Sequence, residues 1–281
     1  MKEALQTARY VLVSNPTTAF SGLAVLGLIA IALLAPPLVP YDPLATNVSN
    51  ALRPPSAQNW FGTDQLGRDL FSRVMVATRI ELSIAFAAVL LAWVVGSSIG
   101  AIIGYFGGAL DLIVSRLVDV LMAFPLFVLA MALVAALGNT IENVVYATAL
   151  INLPFYIRTA RAEVALRSKA GYIAAARMAG STDAELVFRF LLPNVMPILT
   201  VQISLNLGWA ILNAASLSFI GLGIRPPAPE WGLMVAEGAT FILTGQWWLV
   251  LFPGLFLVLA VFSFNLLGDG LRDILDPRRR T

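Results

Sequence analysis

Two of the side chains most used in catalysis are absent from this chain. It contains no His and no Cys. That removes the usual general base near neutral pH, thiolate nucleophiles, disulfides and the common ligands of structural zinc. No G-x-x-x-x-G-K-[ST] phosphate loop and no H-E-x-x-H pair occurs. Neither a metal nor a cofactor is expected on the chain itself, and a membrane-embedded hydrolase has no nucleophile–base pair to use.

The remaining polar groups suit weak binding and mechanical work. Thr182 and Glu185 stand three apart, the spacing of a capping box in which each accepts from the other's backbone N–H. Gly180 just before them can take the left-handed backbone that ends one helix and lets another start. Leu186, Val187, Phe190 and Leu191 then give a second short helix an apolar face. Such a face either receives a partner or rests on lipid headgroups. Pro193 and Pro197 are expected to break the helix and start the next element at an angle. Elsewhere, Asn152, Asn206, Asn213, Ser216, Ser218 and Asn265 are uncharged polar residues in apolar stretches. They could line a solute path or hydrogen-bond between helices. Arg116 and Asp119 are spaced to pair on one helix face. Gly96, Gly100 and Gly104 put three missing side chains on one face, where another helix can approach closely.

The elements that carry these residues are membrane spans. Of 281 residues, 59% are hydrophobic and 12% charged, with a mean hydropathy of +0.83; a soluble domain carries about 25% charged residues. Charge-free stretches run between Arg9 and Asp42, Glu81 and Asp111, Asp119 and Glu142, Glu142 and Arg158, Arg189 and Arg225, and Glu237 and Asp269. Five of the six hold at least 20 residues, enough to cross a core of about 30 Å. The fourth has 15 and contains Pro154, so it spans only with Glu142 and Arg158 at the interfaces. The first is too long for a cleaved signal core and reads as an anchor. Placing both termini inside puts 13 Lys and Arg on the cytoplasmic side and 5 outside, which favours N-in/C-in. A net charge of +2 gives no reason to expect nucleic-acid binding.

This divides the chain into a cytoplasmic segment 1–15, a first transmembrane helix 16–39, an extracytoplasmic segment 40–81 and a core domain 82–281. The core holds five more helices, a polar loop at 161–193 and a cytoplasmic tail. Outside, Leu66 to Leu82 mixes Arg68, Asp69, Arg73, Arg79 and Glu81 with apolar residues, as expected of an amphipathic helix lying on the surface. A second outer loop holds Arg225, Pro226, Pro227, Pro229, Glu230 and Trp231. Arg68, Asp69, Pro226, Pro227, Glu230 and Trp231 are therefore candidate contacts for an external partner, unless these segments merely cap helix ends.

Several stretches together resemble the peptide-permease C type of the dipeptide/oligopeptide ABC importers. They are Phe61 to Asp69; Asp111, Arg116, Asp119, Phe124 and Pro125; Ala215 to Gly223; Pro226, Pro227 and Pro229 to Gly232; and Phe264 to Asp273 with Asp276 to Arg278. The resemblance implies an all-α membrane protein of six helices with the type I ABC importer permease fold and a cytoplasmic coupling helix. It implies a heterodimer with a related permease, two ABC ATPases that hold ATP and Mg, and an extracytoplasmic solute-binding protein. The place is the bacterial or archaeal cytoplasmic membrane. Ala175, Ala176, Gly180, Leu192 and Pro193 match the family's coupling motif, with Thr182, Asp183, Glu185 and Phe188 in the same loop. Two positions depart: Ala174 stands where the family has Glu, and Asn59 where relatives often have His. The implied function is ATP-driven import of di- or oligopeptides by alternating access, with Asn152, Asn206, Asn213 and Ser216 as candidate path residues. The alternatives are a nickel complex, glutathione, an opine or a sugar as solute, or a self-contained secondary transporter or channel.

Overall fold

A computed structural model describes residues 16–275. The expected cytoplasmic segment 1–15 and the basic tail Arg278 to Arg280 lie outside these residues. Among the described residues the chain is helical, and the one β feature is an isolated bridge between Thr63 and Asp69. The main helices are α1 (Pro16–Leu38), α2 (Leu70–Phe106), α3 (Gly108–Ala123), α4 (Leu126–Leu137), α5 (Ile141–Arg167), α6 (Gly171–Met178), α7 (Asp183–Phe219), α8 (Trp231–Ala239) and α9 (Trp248–Leu275).

By length and apolarity α1, α2, α7 and α9 can each cross a membrane, and α3 with α4 makes a fifth candidate. The stretch from Asp119 to Glu142 is not one straight helix. It bends by 89° between α3 and α4, where Pro125 forces Phe124 into extended backbone (φ −83°, ψ 145°). The expected weak fourth span is a continuous 27-residue helix, α5, with Pro154 inside it. At about 1.5 Å per residue it runs roughly 40 Å. The charges in its second half are partnered: Arg158 donates to Asp119 at 2.7 Å, Arg161 to Asp111, and Arg167 to Glu163. Arg116 also meets Asp119, at 3.6 Å, with both side chains exposed.

The outer amphipathic helix expected over Leu66 to Leu82 does not form as a separate surface element. Its residues from Leu70 onward are the first turns of the 37-residue α2, which Asp69 caps by accepting from Ser72 N–H at 2.8 Å. Four of the five charges that suggested a wet face point inward: Arg68, Asp69, Arg73 and Glu81 are buried, and Arg79 is exposed. Asp64 explains two of them. Its Oδ2 accepts from Arg68 Nε at 2.6 Å and lies 3.5 Å from Arg73 Nε, while Arg73 also donates to Pro43 O at 3.0 Å. The 40–69 segment is thereby tied to α2.

The glycine stripe lies against α5. An added Cβ at Gly96 would stand 2.7 Å from Tyr156 Cβ, and one at Gly104 2.5 Å from Arg161 O. At Gly100 it would collide with Ile157 O and stand 2.8 Å from Ala160 Cβ. Backbone atoms cannot move aside as a side chain end can, so the two helices would have to separate. Gly100→Val should destabilise the fold by about 1–3 kcal/mol or more. The check is the thermal unfolding midpoint of the purified protein in detergent; an unchanged midpoint would contradict this close packing.

Candidate functional site

The polar turn between α6 and α7 is closed by local hydrogen bonds on both sides. Gly180 has φ +89°. Ser181 N–H bonds to Ala176 O at 3.1 Å and Gly180 N–H to Arg177 O at 3.0 Å, the paired bonds of a Schellman C-cap. Two residues on, Glu185 N–H donates to Thr182 Oγ1 at 3.3 Å and Thr182 N–H donates to Glu185 Oε2 at 2.8 Å. The capping box is complete. One helix is closed and the next opened within a few residues, and some of the orphan backbone groups at both ends are satisfied.

Ile173, Leu186, Val187 and Leu191 are buried and belong to the chain's main core. The apolar face expected to await a partner or lipid is thus covered by the chain itself, except that Phe190 is half-buried. What the loop leaves exposed is Tyr172, Met178 and Phe188, with Ala175, Asp183, Glu185 and Pro193. Ala176 is half-buried and Leu192 buried. The prolines do not break the helix. Residues Leu186–Leu191 form a π turn, and α7 continues from it through Pro193 and Pro197 to Phe219. Pro193 sits in the first turn of the α portion, where its missing N–H is tolerated, and Asn194 Nδ2 donates to Phe190 O at 2.6 Å.

Tyr105, at the end of α2, fixes this loop from outside it. Its hydroxyl donates to Asp183, and Arg177 Nη2 donates to the same oxygen at 2.6 Å while its guanidinium carbon stands 5.7 Å from the ring centre. The contact joins both sides of the turn to a membrane helix. Sequence reading passed over Tyr105 because its partners are 72 and 78 residues away.

A cavity of about 380 Å³ lies between α4, α5, α7 and α9, open on one side. Asn152, Asn206, Asn213 and Asn265 line it, joined by Gln202, which sequence reading did not single out. Ser216 is outside that lining, and its hydroxyl donates to Leu212 O at 2.6 Å. The wall carries no charged residue.

The six candidate external contacts divide. Pro226 and Pro227 are exposed, whereas Arg68, Asp69, Glu230 and Trp231 are buried at 5% or less. Those four side chains build the fold and are not available for contact from outside. Glu230 caps α8 by accepting from Gly232 N–H at 3.0 Å and Leu233 N–H at 2.6 Å. Glu81 accepts from Trp231 N–H at 3.0 Å, and Trp231 Nε1 donates to Val74 O at 3.1 Å. Burial raises the Glu230 carboxyl above its ordinary value, against the backbone N–H groups that lower it.

One string in the chain spells G-x-S-x-G, Gly96 to Gly100, but it lies in the middle of α2. Ser98 donates to Val94 O at 2.7 Å there, so no strand-to-helix elbow exposes it.

Two family descriptions match the chain. "Binding-protein-dependent transport system inner membrane component" covers residues 96–281, and "N-terminal TM domain of oligopeptide transport permease C" covers residues 4–55. A dipeptide transport system permease protein of Alkalihalophilus pseudofirmus is 42% identical over 92% of this chain and 87% of its own length. A glutathione transport system permease protein of Pectobacterium atrosepticum is 42% identical over 93% and 87%. A di/tripeptide transport system permease protein of Pseudomonas aeruginosa is 42% identical over 88% and 83%.

Proposed function

The chain belongs to the family of binding-protein-dependent transport system inner membrane components, and from that premise we propose that it imports short peptides as one half of a paired permease. It is a transport subunit of the cytoplasmic membrane rather than an enzyme. The observation that carries the peptide reading is similarity along nearly the whole chain to permeases named for dipeptides, di/tripeptides and glutathione, itself a tripeptide.

In this reading six spans run N-in/C-in, with α5 as the most polar of them. A related permease completes the translocation path, two ATPases bind ATP and Mg, and a solute-binding protein delivers the peptide. The loop carrying Ala175, Ala176, Gly180, Thr182, Asp183, Glu185, Phe188, Leu192 and Pro193 receives the stroke of the ATPases. Its suitability is mechanical: two capped helix ends and the Tyr105 contact make it stiff enough to pass a displacement to α2 and α7. Tyr172, Met178 and Phe188 are the apolar side chains it offers to an ATPase. With Ala174 in place of the family's Glu, no carboxylate at that position contributes to the contact.

The test is reconstitution in liposomes with the neighbouring permease and ATPases, titrating the binding protein with and without dipeptides. ATP hydrolysis should rise only with loaded binding protein, and peptide should accumulate inside. Flux through this chain alone without ATP would overturn the reading in favour of a channel or secondary carrier.

A further inference from the structure

The cavity between α4, α5, α7 and α9 has an unusual wall for a membrane interior. Five of its eleven lining residues are carboxamides: Asn152, Gln202, Asn206, Asn213 and Asn265. Its volume of about 380 Å³ lies within the roughly 300–1,000 Å³ common for small-molecule sites. Trp209, 61% exposed, and Phe155 add aromatic surface to the wall.

Hydrogen bonding gives the amides a direction. Asn152 Nδ2 donates to Thr148 O at 2.7 Å, and Asn213 Nδ2 donates to Trp209 O at 2.8 Å. A backbone carbonyl only accepts, so one of the two N–H groups of each amide is committed to its own helix. The carbonyl oxygen, which accepts from no group of the described residues, and the second N–H are what each has to offer. Neither amide reaches across to another helix, so these bonds do not hold the bundle together. In the same wall Asn206 is 5% exposed, and its Nδ2 has no hydrogen-bond partner. A buried polar group left in that state costs about 1–3 kcal/mol.

We propose that this cavity is an intramembrane recognition site for uncharged amide groups, in which Asn152 and Asn213 accept from the main-chain N–H of the passing peptide. The inference rests on the importer reading. It adds that selection continues inside the membrane after the binding protein has released its cargo. The absence of fixed charge suits a path: neutral hydrogen bonds align the peptide group and still release it, whereas a buried ion pair would hold a charged end. The apolar surfaces of Trp209 and Phe155 accept varied side chains, so the site reads the backbone and tolerates the rest.

The experiment compares uptake of an Ala-Ala dipeptide with its ester analogue, in which oxygen replaces the peptide N–H, by the full reconstituted complex. Binding-protein preference cancels when the peptide-to-ester ratio of a variant is divided by that of the wild type. Asn213→Leu should lower dipeptide uptake about five- to tenfold, leave ester uptake within about twofold, and leave ATPase stimulation by loaded binding protein unchanged. Asn213→Ala, with less bulk, keeps the test valid if the leucine variant does not assemble. An equal loss for both solutes, or no loss for either, with stimulation intact overturns the recognition site while sparing the importer reading. A wild-type complex that imports neither solute overturns both.

Discussion

Gly180→Val is expected to cut ATP-coupled uptake by about tenfold or more while leaving the protein folded in the membrane. Gly180 has φ +89°, and no heavy atom lies within 4 Å of where a Cβ would stand. The problem is therefore backbone conformation, not space. A β-branched residue at positive φ costs on the order of 1–3 kcal/mol, and an exposed turn can relax rather than bear it. Relaxation breaks the two bonds that close α6 and moves Arg177 away from Tyr105. The loop then loses its stiffness, so motion of an ATPase is absorbed before it reaches α2 and α7. The measurement pairs ATP hydrolysis with peptide accumulation in proteoliposomes: hydrolysis should persist while accumulation falls. Gly180→Asn, which tolerates left-handed backbone, should keep most of the uptake. Wild-type accumulation in the valine variant would sink the coupling role of this turn.

The largest stability effect is expected at Asp64. Its carboxylate serves two buried guanidinium groups, Arg68 at 2.6 Å and Arg73 at 3.5 Å, and accepts from Leu66 and Arg68 backbone N–H at 2.9 and 3.0 Å. Arg68 and Arg73 are 2% and 1% exposed, and Glu237 reaches Arg68 only at 3.7 Å. Removing the carboxylate leaves positive charge buried without its main partner, which costs about 3–5 kcal/mol. Asp64→Ala should therefore lower the unfolding midpoint strongly and expose the 40–69 segment to protease. Asp119→Ala removes the 47% exposed carboxylate that pairs with Arg158 and Arg116, and should change stability by no more than about 1 kcal/mol. Equal effects at the two positions would contradict the burial argument.

These contrasts mark where sequence reading stops. Thr182, Glu185 and Gly180 were legible because capping depends on residues three or four apart, and local backbone chemistry is the same in any fold. The Gly96, Gly100 and Gly104 stripe was legible for a related reason: helical period puts the three on one face, and small residues admit a neighbour. Its partner, α5, was not. The 66–82 segment misled because amphipathic alternation is equally the pattern of a helix on a surface and of a helix whose charges are paired inside. The partners decide between them: Asp64, four residues before Arg68, and Glu237 and Trp231 from far along the chain. The same ambiguity placed Glu230 and Trp231 on an outer surface when they are buried against Glu81 and Val74.

The sequence by itself determined that this is a multi-span membrane protein, because composition and charge-free run length need no partner to be read. It determined the capped turn, because every bond of that turn is local. The tertiary structure decided the Tyr105 anchor on the loop, the burial of four of the outer charges and the gathering of five amides around one cavity. Each of these depends on groups brought together from distant parts of the chain by packing, and periodicity carries no record of which distant group will be there.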